Sequence, residues 1–149
     1  REPVDIAFRP MTIEDYSEVL ALWREVEHMG LHDDADSREG IGRFLDRNPG
    51  MSFVAVARGR IVGAALGGHD GRRGSITHLA VAKDFRRRGV GRRIVDACVK
   101  AFREAGLHGC ICMAYVENEL GRTFWKDLEW REIPHVVLLV RHFEEESES

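Results

Sequence analysis

The stretch "HLAVAKDFRRRGVGRRIVDACV", residues 78–99, changes its period midway, and that change organises the rest of the chain. Its opening residues end a β-rich run, "SITHLAVA". After Gly91 the apolar residues Ile94, Val95, Cys98, Val99 and Phe102 recur at helical spacing, with Gly106 as the stop. A strand that ends in a glycine-bearing turn and feeds a helix aims unpaired backbone N–H groups and the positive end of the helix dipole at one spot. Gly89 and Gly91 let the main chain approach a ligand that a β-carbon would hold off. Three consecutive arginines, Arg86, Arg87 and Arg88, stand directly before this turn in a chain whose net charge is −3. The pattern predicts a bound anion, phosphate foremost. Four or five charge-assisted hydrogen bonds at roughly 1.5–3 kcal/mol each match the ~8 kcal/mol of a micromolar ligand before ordering costs.

Upstream, "MSFVAVA", "IVGAALGGH" and "SITHLAVA" are joined by short turns, "RGR" and "DGRRG", as in an antiparallel meander. "VDIAFRPM" reads as a first strand. "TIEDYSEVLALWREVEHM" reads as a helix with Thr12 as N-cap, Asp15 completing a capping box, and Val19, Leu20, Trp23 and Val26 as its apolar stripe. A polar stretch, "GLHDDADS", leads into a shorter helix near "SREGIGRFLDRN", which Pro49-Gly50 ends. Downstream come a strand, "HGCICMAYV", a short helix, "ENELGRTFWKDLEW", and a last strand, "HVVLLVRHF". The predicted order is β-α-α-β-β-β-α-β-α-β, a mixed α/β fold in one domain over residues 1–143. The acidic tail, residues 144–149, is expected to be solvated and disordered.

The bulk numbers narrow the function. With 44% hydrophobic and 32% charged residues and no apolar run near the ~20 needed to cross a bilayer, no membrane span is expected. The first residues, "REPVDIAFRP", have neither a signal-peptide core nor a transit-peptide composition, so the expected compartment is the cytoplasm. Once the tail's four acids are set aside, the body is nearly neutral, which argues against a nucleic-acid partner. Cys98, Cys110 and Cys112 lack CxxC spacing, and no His/Asp/Glu cluster has metal-ligand spacing, so neither disulfide framework nor metal is expected.

Two phosphate-binding patterns fail here. A P-loop needs Gly-Lys-Ser/Thr where Arg92-Arg93-Ile94 stands, and a dinucleotide fingerprint needs a small residue at Ile94 and an acid near Gly109. Arg86-Arg87-Arg88-Gly89-Val90-Gly91 instead resembles the Arg/Gln-x-x-Gly-x-Gly/Ala loop of the GNAT superfamily, the acetyl-CoA-dependent N-acetyltransferases. "HLAVAKDFRRRGVGRRIVDACV" is similar to that family's central strand, loop and helix, and "ENELGRTFWKDLEW" to its later Asn-containing helix. "GGHDGRRGS" resembles a bacterial branch of the family, and the element order is also the family's. The resemblance implies a GNAT-like domain with a central, mostly antiparallel sheet and acetyl-CoA as cosubstrate. It implies that main-chain groups of Leu79, Ala80 and Val81 hold the pantetheine arm, with the N–H of Leu79 as oxyanion donor. The N–H groups from Arg87 through Val90 and Gly91 to Arg92 would hold the pyrophosphate, and Asn118 would bond the pantetheine.

Acetyl transfer needs a neutral amine, a donor for the oxyanion and a proton for the leaving thiolate. An amine with a pKa of ~10.4 costs roughly 4–5 kcal/mol to deprotonate at pH 7, and one near 7.8 only about 1. The residues offer His78 and Glu117 as bases. Strand alternation sets His78 on the face opposite Thr77 and Leu79, unless a bulge reverses it. The chain departs from the family at Trp125, where "FY" is common, and at Glu129, where glycine is common. Trp125 cannot donate a phenolic proton, leaving Tyr115 or water as the acid. His69 and Asp70 read as turn residues, and Cys98, Cys110 and Cys112 as packing residues rather than nucleophiles. The expected acceptor is a small-molecule or peptide amine. Asp33, Asp34, Asp36 and Glu39 would either attract a cationic amine or be solvated loop charges. A homodimer through the last strand stays open at this point, as does a non-catalytic acyl-CoA sensor with the same cleft.

Overall fold

The computed structural model describes residues 4–143, and its contacts divide the chain into two units, Arg1–Tyr115 and Val116–Ser149. The expected acidic tail lies outside the described residues. The first unit holds a five-stranded sheet in the order β1 (Ile6–Pro10), β2 (Phe53–Ala57), β3 (Arg60–His69), β4 (Gly74–Val81) and β5 (Cys110–Cys112). Strands β1 to β4 pair antiparallel and β5 joins β4 in parallel, so the sheet is mixed, as expected. Helices α1 (Tyr16–Glu25) and α2 (Arg38–Arg47) lie between β1 and β2 in sequence, and α3 (Val90–Glu104) between β4 and β5.

Every residue of β3 from Ile61 to Gly68 is buried, because both faces of the sheet are covered. Gly63 faces α3: a β-carbon there would come within 2.8 Å of Ile94 Cδ1 and 3.0 Å of Val90 Cγ1. Gly68, five residues on and so on the other face, approaches Phe44 and Asn48 of α2 and its cap. Helix α3 inserts Val90, Ile94, Val95, Cys98 and Phe102 against its side of the sheet. Burying each of the larger apolar side chains contributes about 1.5–3 kcal/mol.

Local chemistry starts and stops the helices. The Thr12 N–H donates to the Asp15 carboxylate (2.9 Å), and Arg9 grips the same carboxylate through both terminal nitrogens at 2.8 Å. Ser37 caps α2 by accepting the Gly40 N–H at 3.0 Å. Gly106, at φ +85°, turns the chain after α3. The buried stripe of α1 is Val19, Leu22 and Trp23, with Leu22 in place of the expected Leu20, which is only partly buried.

The second unit contains α4 (Glu119–Asp127) and connecting turns. The last strand expected over "HVVLLVRHF" does not form among the described residues. A strand persists only through a ladder partner, and this unit supplies none there; Val136 to Val140 are all more than half exposed. Trp125 packs at 4.5 Å between centroids on Trp130. Glu129 adopts φ +68°, a left-handed conformation that glycine takes more easily.

Candidate active site

The pairing of β4 is interrupted twice, and both interruptions shape the site. Strand β5 covers β4 only from Gly74 to Ile76, so from Thr77 to Val81 the edge away from β3 has no strand partner among the described residues. On the β3 side the register runs Ala64 with Ala80 and then Leu66 with Thr77, so Ala65 opposes both His78 and Leu79. That is a β-bulge, and it leaves an extra residue of β4 without its own ladder partner. His78 takes the strain, at φ +55°.

The bulge decides which way His78 faces. Thr77 lies across from Leu66, on the face covered by α1 and α2, and strict alternation would turn His78 toward α3. Instead its ring meets Trp23 of α1 edge-on at 5.0 Å, and its Nε2 lies 2.8 Å from Asp36 Oδ1. The Trp23 indole N–H donates to the His78 carbonyl at 2.8 Å. Asp36 is not a solvated loop charge: it is 7% exposed, and its second oxygen accepts the His32 N–H at 2.8 Å. Asp33, Asp34 and Glu39 are exposed. No local pattern pointed to the Asp36–His78 pair, because its members are 42 residues apart. The buried loop carboxylate becomes visible only once the chain is folded.

Beyond Val81, a short 3-10 turn (Lys83–Phe85) leads to Arg87 at φ +61° and Gly89 at φ +76°. Gly89 is the N-cap of α3, and no side chain caps the helix. The first amide bond back into the turn is Arg93 N–H to the Gly89 carbonyl, 3.1 Å, so the N–H groups of Val90, Gly91 and Arg92 precede the helix's own ladder. A bare, glycine-capped helix start of this kind favours negative charge. The three arginines are set differently. Arg86 Nε donates to the Val81 carbonyl at 3.3 Å, Arg87 is exposed, and the Arg88 guanidinium lies 5.0 Å over the Phe85 ring with its buried Nε lacking an acceptor.

The remaining candidates are accounted for one by one. Asn118 caps α4 by accepting the Gly121 N–H at 3.0 Å, and Glu117 is exposed just before it. Both lie in the second unit. Tyr115 is half exposed, near the His28 ring at 6.2 Å, and its hydroxyl sits where a β-carbon on Gly30 would fall. Asp70 accepts the N–H groups of Arg72 (2.8 Å) and Arg73 (3.0 Å), and His69 Nδ1 that of Gly71, the turn roles expected. Burial pushes the Cys98 and Cys112 thiols up to about 12, which makes them poor nucleophiles. Among the described residues no group of three or more His, Cys, Asp or Glu is placed to hold a metal ion, and no helix is long and apolar enough to cross a membrane.

The profile of the Acetyltransferase (GNAT) family matches residues 16–129. An acetyltransferase of Sodalis glossinidius is 28% identical over 135 residues, 91% of this chain and 94% of that protein. One of Pectobacterium atrosepticum is 29% identical over 132 residues, 89% and 92% of the two chains. Among solved structures, aminoglycoside N-acetyltransferase AAC(6')-Iy bound to the bisubstrate analogue CoA-S-monomethyl-acetylneamine superposes with a TM-score of 0.74 at 20% identity, over 93% of this chain and 99% of that one. The PaiA N-acetyltransferase of Thermoplasma acidophilum in complex with coenzyme A gives 0.75 at 16% identity, over 83% and 88%. At such identities the likeness establishes a shared fold.

Proposed function

Since the chain belongs to the acetyltransferase (GNAT) family, whose profile covers most of its length, we propose that it moves an acetyl group from acetyl-CoA to a primary amine of a small molecule or peptide. The amine attacks the thioester directly. The observation that carries this reading is the open edge of β4, Thr77 to Val81, running into a helix start whose Gly89 has φ +76°. An extended pantetheine arm fits along such an edge as an added strand, bonding main-chain groups of Leu79, Ala80 and Val81. The pyrophosphate then meets the amides from Arg87 to Arg92. The unsatisfied Nε of Arg88 fits an incoming anion, since a buried donor without an acceptor costs about 1–3 kcal/mol. The complexes of similar folds with coenzyme A support this placement.

In the transfer step the amine nitrogen bonds the acetyl carbon, and the carbonyl oxygen gains negative charge. The Leu79 N–H, at a bulge with an amide to spare, is suited to stabilise it. The amine proton passes to His78, the carbon–sulfur bond breaks, and the thiolate takes a proton from water; a thiol pKa of ~8.5 makes it a tolerable leaving group. Glu117 is the second base candidate, and Asn118, already committed to capping α4, the lesser cofactor contact. The raised thiols of Cys98 and Cys112 favour direct attack over an acyl-enzyme. Thiol release from acetyl-CoA with a panel of polyamines, amino acids, aminoglycosides and peptide N-termini tests the reading. One acceptor class should give release well above the blank, and His78→Gln should lower it by about 100-fold or more. Coenzyme A binding without turnover across the panel would replace this reading with that of an acyl-CoA sensor.

A further inference from the structure

The loop between α1 and α2 reaches β4 through Asp36. Asp36 is its buried carboxylate, and its contacts fix it in place. Oδ1 meets His78 Nε2 at 2.8 Å, Oδ2 accepts the His32 N–H at 2.8 Å, and its carbonyl accepts the Tyr16 hydroxyl at 2.7 Å. The imidazole is held from a second side by the Trp23 ring, 5.0 Å away, while the Trp23 N–H holds the His78 carbonyl. Side chains of His78 and Asp36 are only 15% and 8% exposed, so solvent competes little for their bond. A carboxylate accepts and does not donate. The bond therefore places the neutral ring's proton on Nε2 and leaves Nδ1 as the nitrogen that can receive one.

We infer that Asp36 is a positioning residue that selects the Nε2–H tautomer of His78 and thereby makes the α1–α2 loop part of the proton-accepting machinery. The inference rests on the reading of His78 as the base. A bulge alone would turn His78 toward α1 without fixing which nitrogen is bare; Asp36 supplies that choice. The same contact ties the α1–α2 loop to the strand proposed to hold the thioester. A loop displaced from β4 would then lose the base's orientation along with its own anchor.

Two measurements test this. Nitrogen-15 chemical shifts of the His78 ring, in the folded wild type with the imidazole neutral, should show the proton on Nε2; Asp36→Asn should abolish that preference. A proton found on Nδ1 in the wild type would overturn the inference whatever the activity. In the thiol-release assay with the fastest acceptor of the panel, Asp36→Asn should lower kcat by about 10- to 100-fold and leave the KM for acetyl-CoA within about twofold, because the variant loses orientation of the base and not cofactor contacts. Added to His78→Gln, it should lower kcat no further. A crippled His78→Gln with an undiminished Asp36→Asn would overturn the positioning role alone, and so would an equal loss from Asp36→Asn in both backgrounds. Full turnover in His78→Gln would overturn the base reading and the positioning role with it.

Discussion

The turn from β4 into α3 and the wall formed by Trp23, Asp36 and His78 are adjoining parts of one unit built on opposite principles. The turn works through main-chain groups within about a dozen consecutive residues, where glycines, a bare helix start and arginines follow one another. The wall works through side chains at positions 23, 36 and 78, drawn together by packing and a bulge. An anion site made of consecutive amides is written locally in sequence. A hydrogen-bonded acid–base pair is written only in the fold.

Breaking the wall at its most buried member gives the largest effect. Trp23 is completely buried, so Trp23→Ala should destabilise the protein by about 3–5 kcal/mol in urea unfolding. Coenzyme A affinity in the fraction that stays folded should be nearly unchanged, and a parallel collapse of that affinity would merge the two regions into one. The turn is probed by Gly89→Val. The added β-carbon meets nothing within 4 Å, so the cost comes from the left-handed φ of +76°, on the order of 1–2 kcal/mol for a residue with a side chain. Isothermal titration should show coenzyme A binding weakened about tenfold or more, with the Asp36–His78 bond intact by nitrogen-15 shifts.

How much was legible follows from the same division. The stripe on α3, the capping residue Asp15, the antiparallel meander and the glycine-bearing turn into α3 are written in short stretches of consecutive residues, and each is present. The orientation of His78 was open because alternation and a bulge give opposite faces, and only the pairing of Ala64 with Ala80 against Leu66 with Thr77 chooses between them. The burial of Asp36 is not legible, because nothing within its own loop, "GLHDDADS", distinguishes it from Asp33 and Asp34. The last strand was expected from an apolar, β-branched run, but such a run specifies a strand only where a partner edge is offered.

Two smaller effects sharpen the contrast between local and long-range devices. The Arg9 guanidinium, by hydrogen bonding, holds the Asp15 carboxyl below its ordinary value, despite the opposing effect of burial. A carboxyl with a lowered folded-state pKa binds its proton more readily when unfolded. Its contribution is thus fully present above the unfolded value near 3.9 and is lost as pH falls through the lower folded one. Asp15→Asn should therefore cost about 1 kcal/mol at neutral pH, screened because Arg9 is 46% exposed, and nothing in strong acid, as read by urea midpoints across pH 2–7. Glu129→Gly, which relieves the left-handed φ of +68°, should raise stability by about 0.5–1 kcal/mol by the same method.

The backbone amides at the start of α3, together with the edge of β4 that has no strand partner among the described residues, are the proposed seat of coenzyme A. Isothermal titration of the wild-type protein with coenzyme A at low salt tests it most directly. Saturable, one-to-one binding at about micromolar affinity that weakens as salt is raised is expected. The absence of any binding heat at several temperatures, with the protein folded by circular dichroism, would contradict it.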